Sequence, residues 1–482
     1  MSPARLRLIT LAACTAAYVF FIAWYHAPYA GASDASGYLN SARLLLEGRL
    51  QEPLRLPAGL PENVLPAESF VPLGFRLDAT RRALVPTYPV GLPLHLAAVG
   101  WFTGLTVAST VVGVGAALAF AGLFYLVCRE CGVGPAVAAG AMALAALSPL
   151  TLLFALVPMS DLLASVWALA TILCARRARH GPGWAAAAGA ALACAVLVRP
   201  TNLLLAVPAL IALPAGARHW LAFALGGLPG ALFLAGYNHA LYGAALTTGY
   251  TDVSALFSAA YIPRTLAHYA RWVPVVASPL VLAAATLPWL PVERRLKWTL
   301  AAWAGVLFVF YAAYFCTHET WWYLRFVLPA LPALGVAAAL TFQHLPAPSS
   351  PGVRAVRTAA VLAAAAWLVF WTRDLRVAKI ELDDRGYPLA GRWAAQVMPA
   401  DAVLLAYQVS GSLLYYSDRP FVVPDRLEPP DCARLEEWLA RNRRSLYAAL
   451  YPHEEAAVWR KFPGRWERII RLHQATIWRR AD

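Results

Sequence analysis

The chain has 482 residues, of which 60% are hydrophobic and only 14% charged, with a formal net charge of +14 and a mean hydropathy of +0.56. A soluble globular chain carries about 25% charged residues, so this composition excludes a water-soluble enzyme and describes a protein that crosses a bilayer many times. The positive excess does not indicate nucleic acid. It sits largely as Arg in short segments between apolar runs, where it sets orientation in a membrane.

Taken in order, Arg5 and Arg7 precede a first apolar run over residues 8–25, which places the N-terminus on the cytoplasmic side. Leu11-Ala12-Ala13-Cys14 resembles a lipoprotein cleavage site and Ala30-Gly31-Ala32 a signal-peptidase site. The stretch before the first is too short, and the run before the second is longer than a signal peptide's apolar core. Residues 8–25 therefore read as an uncleaved first span. Next, Ser33 to Leu50 carries Tyr38, Leu39, Ala42, Leu45 and Leu46 on one helical face. An amphipathic helix on the bilayer surface is expected, with Ser33 or Asp34 placed to cap its start and Gly48 its end. The segment 26–104 holds six acids and six arginines, and its middle is broken by Pro53, Pro57, Pro61, Pro66 and Pro72. Its last part, 86–104, is too short to span and reads as an interfacial helix.

Ten further apolar runs follow, at about 105–128, 133–153, 161–176, 183–198, 201–215, 219–237, 272–291, 298–316, 326–343 and 355–372, each close to the ~20 residues that cross a bilayer. Every short segment assigned to the cytoplasm carries Arg or Lys, including a Pro/Ser linker at 345–352 that runs up to Arg354. Eleven spans put the C-terminus outside. Residues 373–482 are charged, with short apolar pieces (402–406, 421–423, 446–450) between helix-like stretches such as 432–441, a pattern that predicts a small α/β domain. The expected organisation is a transmembrane domain over 1–372, with 26–104 as its first extracytoplasmic loop, and an extracytoplasmic domain over 373–482.

Ionisable groups at the ends of spans are costly and mark candidate sites. Between residues 105 and 372 there are five acids. Glu130 and Glu293 fall on the cytoplasmic side, and Asp161, Asp252 and Glu319 on the outer side with Asp34. Each aspartate at a helix start also has the simpler role of a cap. Arg199 and Arg325 stand on the outer side against the positive-inside trend. A guanidinium there suits a phosphate, although snorkelling to headgroups is the common alternative. Arg76, Arg81 and Arg82 are rival phosphate clamps. Trp321-Trp322-Tyr323 is placed to stack on a sugar or to form an interfacial belt. Six of the seven cysteines precede the C-terminal segment, and Cys128-x-x-Cys131 has no second pair or His cluster to make a metal site. No Walker A pattern, no G-x-G-x-x-G after a strand and no H-E-x-x-H is present, which argues against a nucleotide-sugar donor and an ATP-driven pump.

An Asp just after the first span, Tyr38 four residues on and a helix ending Leu-Leu-Glu-Gly resemble the GT-C glycosyltransferases, in particular the bacterial aminoarabinose and mannosyl transferases. So do Tyr-Pro-x-Gly-x-Pro at Tyr88–Pro93 and Asn-x-x-x-x-Gly…Gly-Tyr from Asn238 to Tyr250. The resemblance covers roughly residues 8–345. It implies an α-helical polytopic membrane protein with about eleven transmembrane helices, a large first extracytoplasmic loop and a bacterial inner-membrane location. It also implies transfer of a sugar from a polyprenyl-phosphate donor to an extracytoplasmic lipid, glycan or protein. A single arginine opposite a single carboxylate fits one in-line displacement, so inversion is expected. Asp34 and Asp161 are the expected catalytic residues: Asp34 carries the family's catalytic role as general base, and Asp161, which matches the family's second acidic residue, is expected as a second carboxylate facing the same cavity. Tyr38, Tyr88, Arg82, Arg199, His318, Glu319 and Arg325 are the expected substrate-binding residues. Metal ligands are not assigned, and a divalent cation is the cofactor the resemblance leaves open. No nucleic-acid partner is expected. The competing reading is a polytopic transporter or flippase for a lipid-linked or small solute, which would place its polar cavity at mid-bilayer.

Overall fold

The computed structural model describes residues 3–61, 63–78, 80, 82–250, 253–345 and 351–481. Arg81, Asp252 and most of the 345–352 linker lie outside the described residues. In chain order, α1 (Pro3–Tyr25) and α2 (Asp34–Leu46) precede three short strands, β1 (Glu52–Pro53), β2 (Phe75–Asp78) and β3 (Ala83–Pro86). Helices α3 (Gly91–Thr103), α4 (Leu105–Glu130), α5 (Pro135–Ala146), α6 (Pro149–Ala155), α7 (Ser160–Arg177) and α8 (Pro182–Val198) follow. A 3-10 turn over Pro200–Leu205 leads into α9 (Ala206–Ala212), then α10 (Ala217–Tyr242) and α11 (Ile262–Val276). A 3-10 segment over Pro279–Trp289, α12 (Arg294–Ala312), a 3-10 segment over Trp321–Ala330, α13 (Leu331–His344) and α14 (Pro351–Asp374) complete the apolar part.

Among the described residues, four helical stretches are long and apolar enough to cross a membrane: Leu105–Glu130, Ala217–Tyr242, Trp321–His344 and Arg354–Gln396. Each of two bent pairs can add one more. The runs expected as single spans at 133–153 and 272–291 are these bent pairs, with α5 meeting α6 at 61° and Ala259–Val276 meeting Pro279–Trp289 at 110°. The cause is proline. Pro149 and Pro279 lack the N–H that would continue the ladder and bar the residue before them from the helical region. Ser148 accordingly adopts φ −55°, ψ 130° and Ser278 φ 67°, ψ 154°.

The chain divides into two compact units. One comprises Met1–His26, Val111–Gly236 and Thr251–Ala378, and the other Ala27–Thr110, Tyr237–Tyr250 and Lys379–Asp482. The first is helical. Its interior is largely Ala and Leu, as where Ala175, Ala178, Ala185 and Ala188 pack against Ala209 and Leu213. The second continues after α14 with α15 (Ile380–Asp383), α16 (Gly386–Gln396), β4 (Val403–Leu405), α17 (Ser410–Tyr416), β5 (Phe421–Val422), α18 (Pro429–Arg441), β6 (Leu446–Leu450), α19 (Pro452–Lys461), β7 (Trp466–Leu472) and β8 (Ala475–Arg480).

In this second unit the strands form a sheet of order β5-β4-β6-β8-β7. The β4 strand pairs in parallel with β5 and β6, and β8 runs antiparallel to β6 and β7. Successive side chains of a strand point to opposite faces, so Val403 and Leu405 join one core and Leu404 the other. The first core also takes Trp438, Phe462 and, from the long loop, Leu60, Leu65 and Phe70. The second takes Tyr387, Ala390, Leu413 and Phe421. A separate antiparallel sheet, β1-β3-β2, carries the loop into α3.

Candidate functional site

In the second unit, α2 opens at Asp34, two residues after Ala32, which is held at φ 45°. The Ser33 hydroxyl does not cap the helix, contrary to one expectation. It lies 2.7 Å from the Tyr88 hydroxyl instead. Gly48, at φ 69°, does close the helix end. Tyr88 is also hydrogen-bonded to Asp34, and burial, then the Asp34 charge and that bond, hold its phenol well above its ordinary pKa. It stays a neutral donor facing a half-buried carboxylate.

The Tyr38 ring lies 5.2 Å from Tyr88, and Tyr250 meets Tyr88 edge-on at 6.2 Å. This aromatic corner closes on two glycines. A Cβ on Gly37 would stand 2.5 Å from the Tyr88 ring, and one on Gly74 2.6 Å from the Gly37 Cα. The corner thus unites three expected residues, Asp34, Tyr38 and Tyr88. Arg82 is exposed at the β2–β3 turn. Arg76 donates to the Thr248 carbonyl at 3.2 Å and covers the Tyr242 ring at 5.1 Å, so it fixes the 237–250 segment.

The turn before Asp34 is held by residues that sequence reasoning missed. Tyr29 donates to Glu381 Oε1 at 2.6 Å, and Arg385 grips both oxygens of that carboxylate at 2.8 and 2.9 Å. The Ala30 N–H donates to Tyr416 at 3.1 Å, and the Ala30 carbonyl accepts from Ser412. Within α2 itself, Asn40 Nδ2 donates to the Gly411 carbonyl at 2.9 Å. The one available signal was the run of small and hydroxyl residues, Ser410-Gly411-Ser412, whose size permits this close approach.

In the first unit, Asp161 sits in the first turn of α7, where the helix dipole favours an anion, and is fully buried. Arg199 Nη2 donates to its Oδ1. Pro200 forces Arg199 into extended backbone, φ −151°, ψ 111°, which turns the guanidinium out of the α8 axis. Its Nη1 donates to the Arg325 carbonyl at 3.1 Å. Asp161 Oδ2 has no hydrogen-bond partner among the described residues.

Arg325 lies in a 3-10 segment, where residues three apart eclipse. Its guanidinium accordingly covers Trp322 at 5.8 Å, as well as Tyr323 at 5.5 Å and Phe326 at 5.1 Å. The structure thus joins Asp161, Arg199 and Arg325 in one aromatic-walled group. His318 is half-buried and stacks on Tyr261 at 5.8 Å, and Glu319 is exposed. Tyr311, bonded to Thr201 at 2.7 Å and stacked on Phe326 at 5.1 Å, completes the wall and was not foreseen.

No group of three or more His, Cys, Asp or Glu side chains able to hold a metal gathers among the described residues.

The fold is shared with membrane glycosyltransferases of known structure, and among the described residues four helices are long and apolar enough to cross a membrane. Its backbone superposes on ArnT from Cupriavidus metallidurans bound to undecaprenyl phosphate with a TM-score of 0.61, at 14% identity over 99% of this chain and 98% of that one. It also matches the oligosaccharyltransferase AglB from Archaeoglobus fulgidus, in complex with an inhibitory peptide and a dolichol-phosphate, with a TM-score of 0.56 at 11% identity over 92% and 69% of the two chains. The mycobacterial arabinofuranosyltransferase AftD gives 0.52 at 14% identity over 92% and 41%. No family profile and no curated protein sequence matches the chain.

Proposed function

We propose that the chain is a membrane glycosyltransferase that moves a sugar from a polyprenyl-phosphate donor to an extracytoplasmic lipid, glycan or protein. The observation that carries this reading is the Asp34 corner: a half-buried carboxylate at a helix start, faced by a neutral phenol, on a fold shared along almost the whole chain with an enzyme holding undecaprenyl phosphate.

In this reading Asp34 takes the acceptor proton as the new bond to the anomeric carbon forms. The bond from that carbon to the phosphate oxygen breaks, and the lipid phosphate leaves with the electron pair. A cation already in place stabilises that charge without reorganising. Arg325 serves as this cation, and Asp161 holds Arg199 beside it. A single displacement inverts the anomeric centre. Tyr88, Tyr38, Arg82, His318 and Glu319 contact the substrates. The eleven apolar runs cross the bacterial inner membrane with the N-terminus cytoplasmic, and residues 373–482 stand outside.

The test gives the purified chain radiolabelled polyprenyl-phosphate sugars and, separately, nucleotide sugars. Transfer from the lipid-linked donors is expected, and transfer from a nucleotide sugar alone would refute the reading. An Arg325→Lys variant keeps the charge and loses the planar fork, so its turnover should fall by about tenfold with little change in donor KM.

A further inference from the structure

Two breaks in the helical unit carry the same tripeptide. Ser148-Pro149-Leu150 separates α5 from α6, and Ser278-Pro279-Leu280 follows α11. Broken helices at membrane depth persist where they are buried in protein or line a cavity. Both breaks line the same one, a cavity of about 660 Å³, within the size range of small-molecule pockets (about 300–1,000 Å³). The two serines are 5% and 1% exposed, and neither hydroxyl has a hydrogen-bond partner among the described residues. Some other hydroxyls of this unit are satisfied on their own helices, as Ser165 is by Asp161 and Thr299 by Arg295; Thr265 and Thr372 share the unsatisfied state but do not line this cavity. A buried hydroxyl without a partner costs about 1–3 kcal/mol, so two on one cavity ask for an acceptor. Ser278 also sits at φ 67°, in the left-handed region, a conformation that persists only when its surroundings over-determine it.

The cavity has a direction. Gln343, near the end of α13, donates to the Gly132 carbonyl at 2.9 Å, which sets the start of α5 beside the end of α13. Ser148 follows α5, about 20 Å further along at 1.5 Å per residue. Thr286 meets Thr341 at 2.7 Å, and Ser278 lies roughly 16 Å back from that contact at 2.0 Å per residue. Both α6 and α11 pack against the Trp321–Ala330 segment that precedes α13, so both serines stand toward the Leu331 end of α13. From there Leu331, Gly335, Ala338 and Phe342 line the cavity as one helix face. Arg357, the one charged residue among the described lining residues, covers the Phe342 ring at 5.5 Å at the other end.

We propose that this cavity holds an acyl glycerolipid of the bilayer, its ester carbonyl accepting from Ser148 and Ser278 and its acyl chain lying along α13 toward Phe342. The serine end offers neutral donors and no cation, so it recognises an uncharged acceptor rather than a phosphate. The walls are apolar, which suits a hydrocarbon chain and not a polar solute. The inference is independent of the transfer reaction.

The test uses the full chain, purified in detergent and delipidated, and titrated with a diester phosphatidylglycerol or its diether analogue, which has the same headgroup and chains but no ester carbonyl. Bound lipid is counted by native mass spectrometry. The diester is expected to bind about tenfold more tightly, two hydrogen bonds at modest net strength. That preference should vanish in Ser148→Ala/Ser278→Ala, and Gly140→Trp, which fills the cavity, should abolish retention of both lipids. Equal binding of diester and diether by the native chain would overturn the proposal. So would a diester preference that survives the double variant, or displacement of the diester by a polyprenyl phosphate in preference to other acyl lipids.

Discussion

Helices α2 and α7 each carry an aspartate in the first turn, Asp34 and Asp161, and the two carboxylates differ in what the fold brings to them. Asp34 is half-buried and faces the neutral Tyr88 phenol. Asp161 is fully buried and locked to the Arg199 guanidinium. The guanidinium gives Asp161 a charge-assisted partner, and the phenol gives Asp34 a neutral hydrogen-bond donor. In the proposed reaction the same local motif moves a proton in one place and holds a cation in the other. The partner, supplied from far along the chain, decides which.

The sharpest way to break this comparison is to strip each carboxylate of its surroundings. Asp161→Ala would leave Arg199 buried without its counter-charge, a change that typically costs about 3–5 kcal/mol. Its thermal midpoint should drop markedly, and Asp161→Ala/Arg199→Met should recover most of the loss because no charge is then stranded. A single variant as stable as the native chain would show that the pair is a surface-like contact.

A smaller effect is expected at Gly37, where a Cβ would press into the Tyr88 ring at 2.5 Å. Overpacking of this kind costs about 1–3 kcal/mol, so Gly37→Ala should lower both stability and turnover. Gly48→Ala, in open space but at φ 69°, should leave turnover unchanged.

The smallest effect concerns the clamp on the turn before Asp34. Tyr29→Phe removes one hydrogen bond to a carboxylate, about 1.5–3 kcal/mol for a charged partner and less in a partly exposed setting. Burial, then the bond to Glu381, pushes the Tyr29 phenol up to about 12. Because the folded value is raised, this contribution is complete below the ordinary tyrosine pKa and fades only as pH rises through the folded one. Native and variant chains should therefore differ by the same amount from about pH 6 to about pH 9, measured by hydrogen exchange of the 29–36 segment. A gap that closes within that window would contradict the clamp.

Much of this was legible in the sequence where one segment determines its own geometry. Pro200 turning Arg199 off its helix, Gly48 ending α2, and the apolar pieces that became β4, β5 and β6 are local effects of sterics and burial. Pairings across long stretches were not legible. The hydroxyl of Ser33 was expected to cap a helix because nothing nearby competes for it, yet Tyr88 does. Leu60, Leu65 and Phe70 lie among prolines and looked like loop, but they complete a core built mostly from residues beyond 400. Periodicity reports which face of an element is apolar and says nothing of what will cover it. The Ser-Pro breaks were passed over because the runs that contain them are apolar throughout, and hydropathy does not register a bend.

The most direct test of the central claim compares Asp34→Asn with Asp161→Asn in one assay of sugar transfer from a polyprenyl-phosphate donor, with folding checked by thermal midpoint. Positioned bases contribute about 10²–10⁴-fold. Asp34→Asn should therefore lose turnover by that factor with an unchanged midpoint. Asp161→Asn should lose stability first, with turnover at low temperature reduced far less. A folded Asp34→Asn protein with near-native turnover would contradict the account.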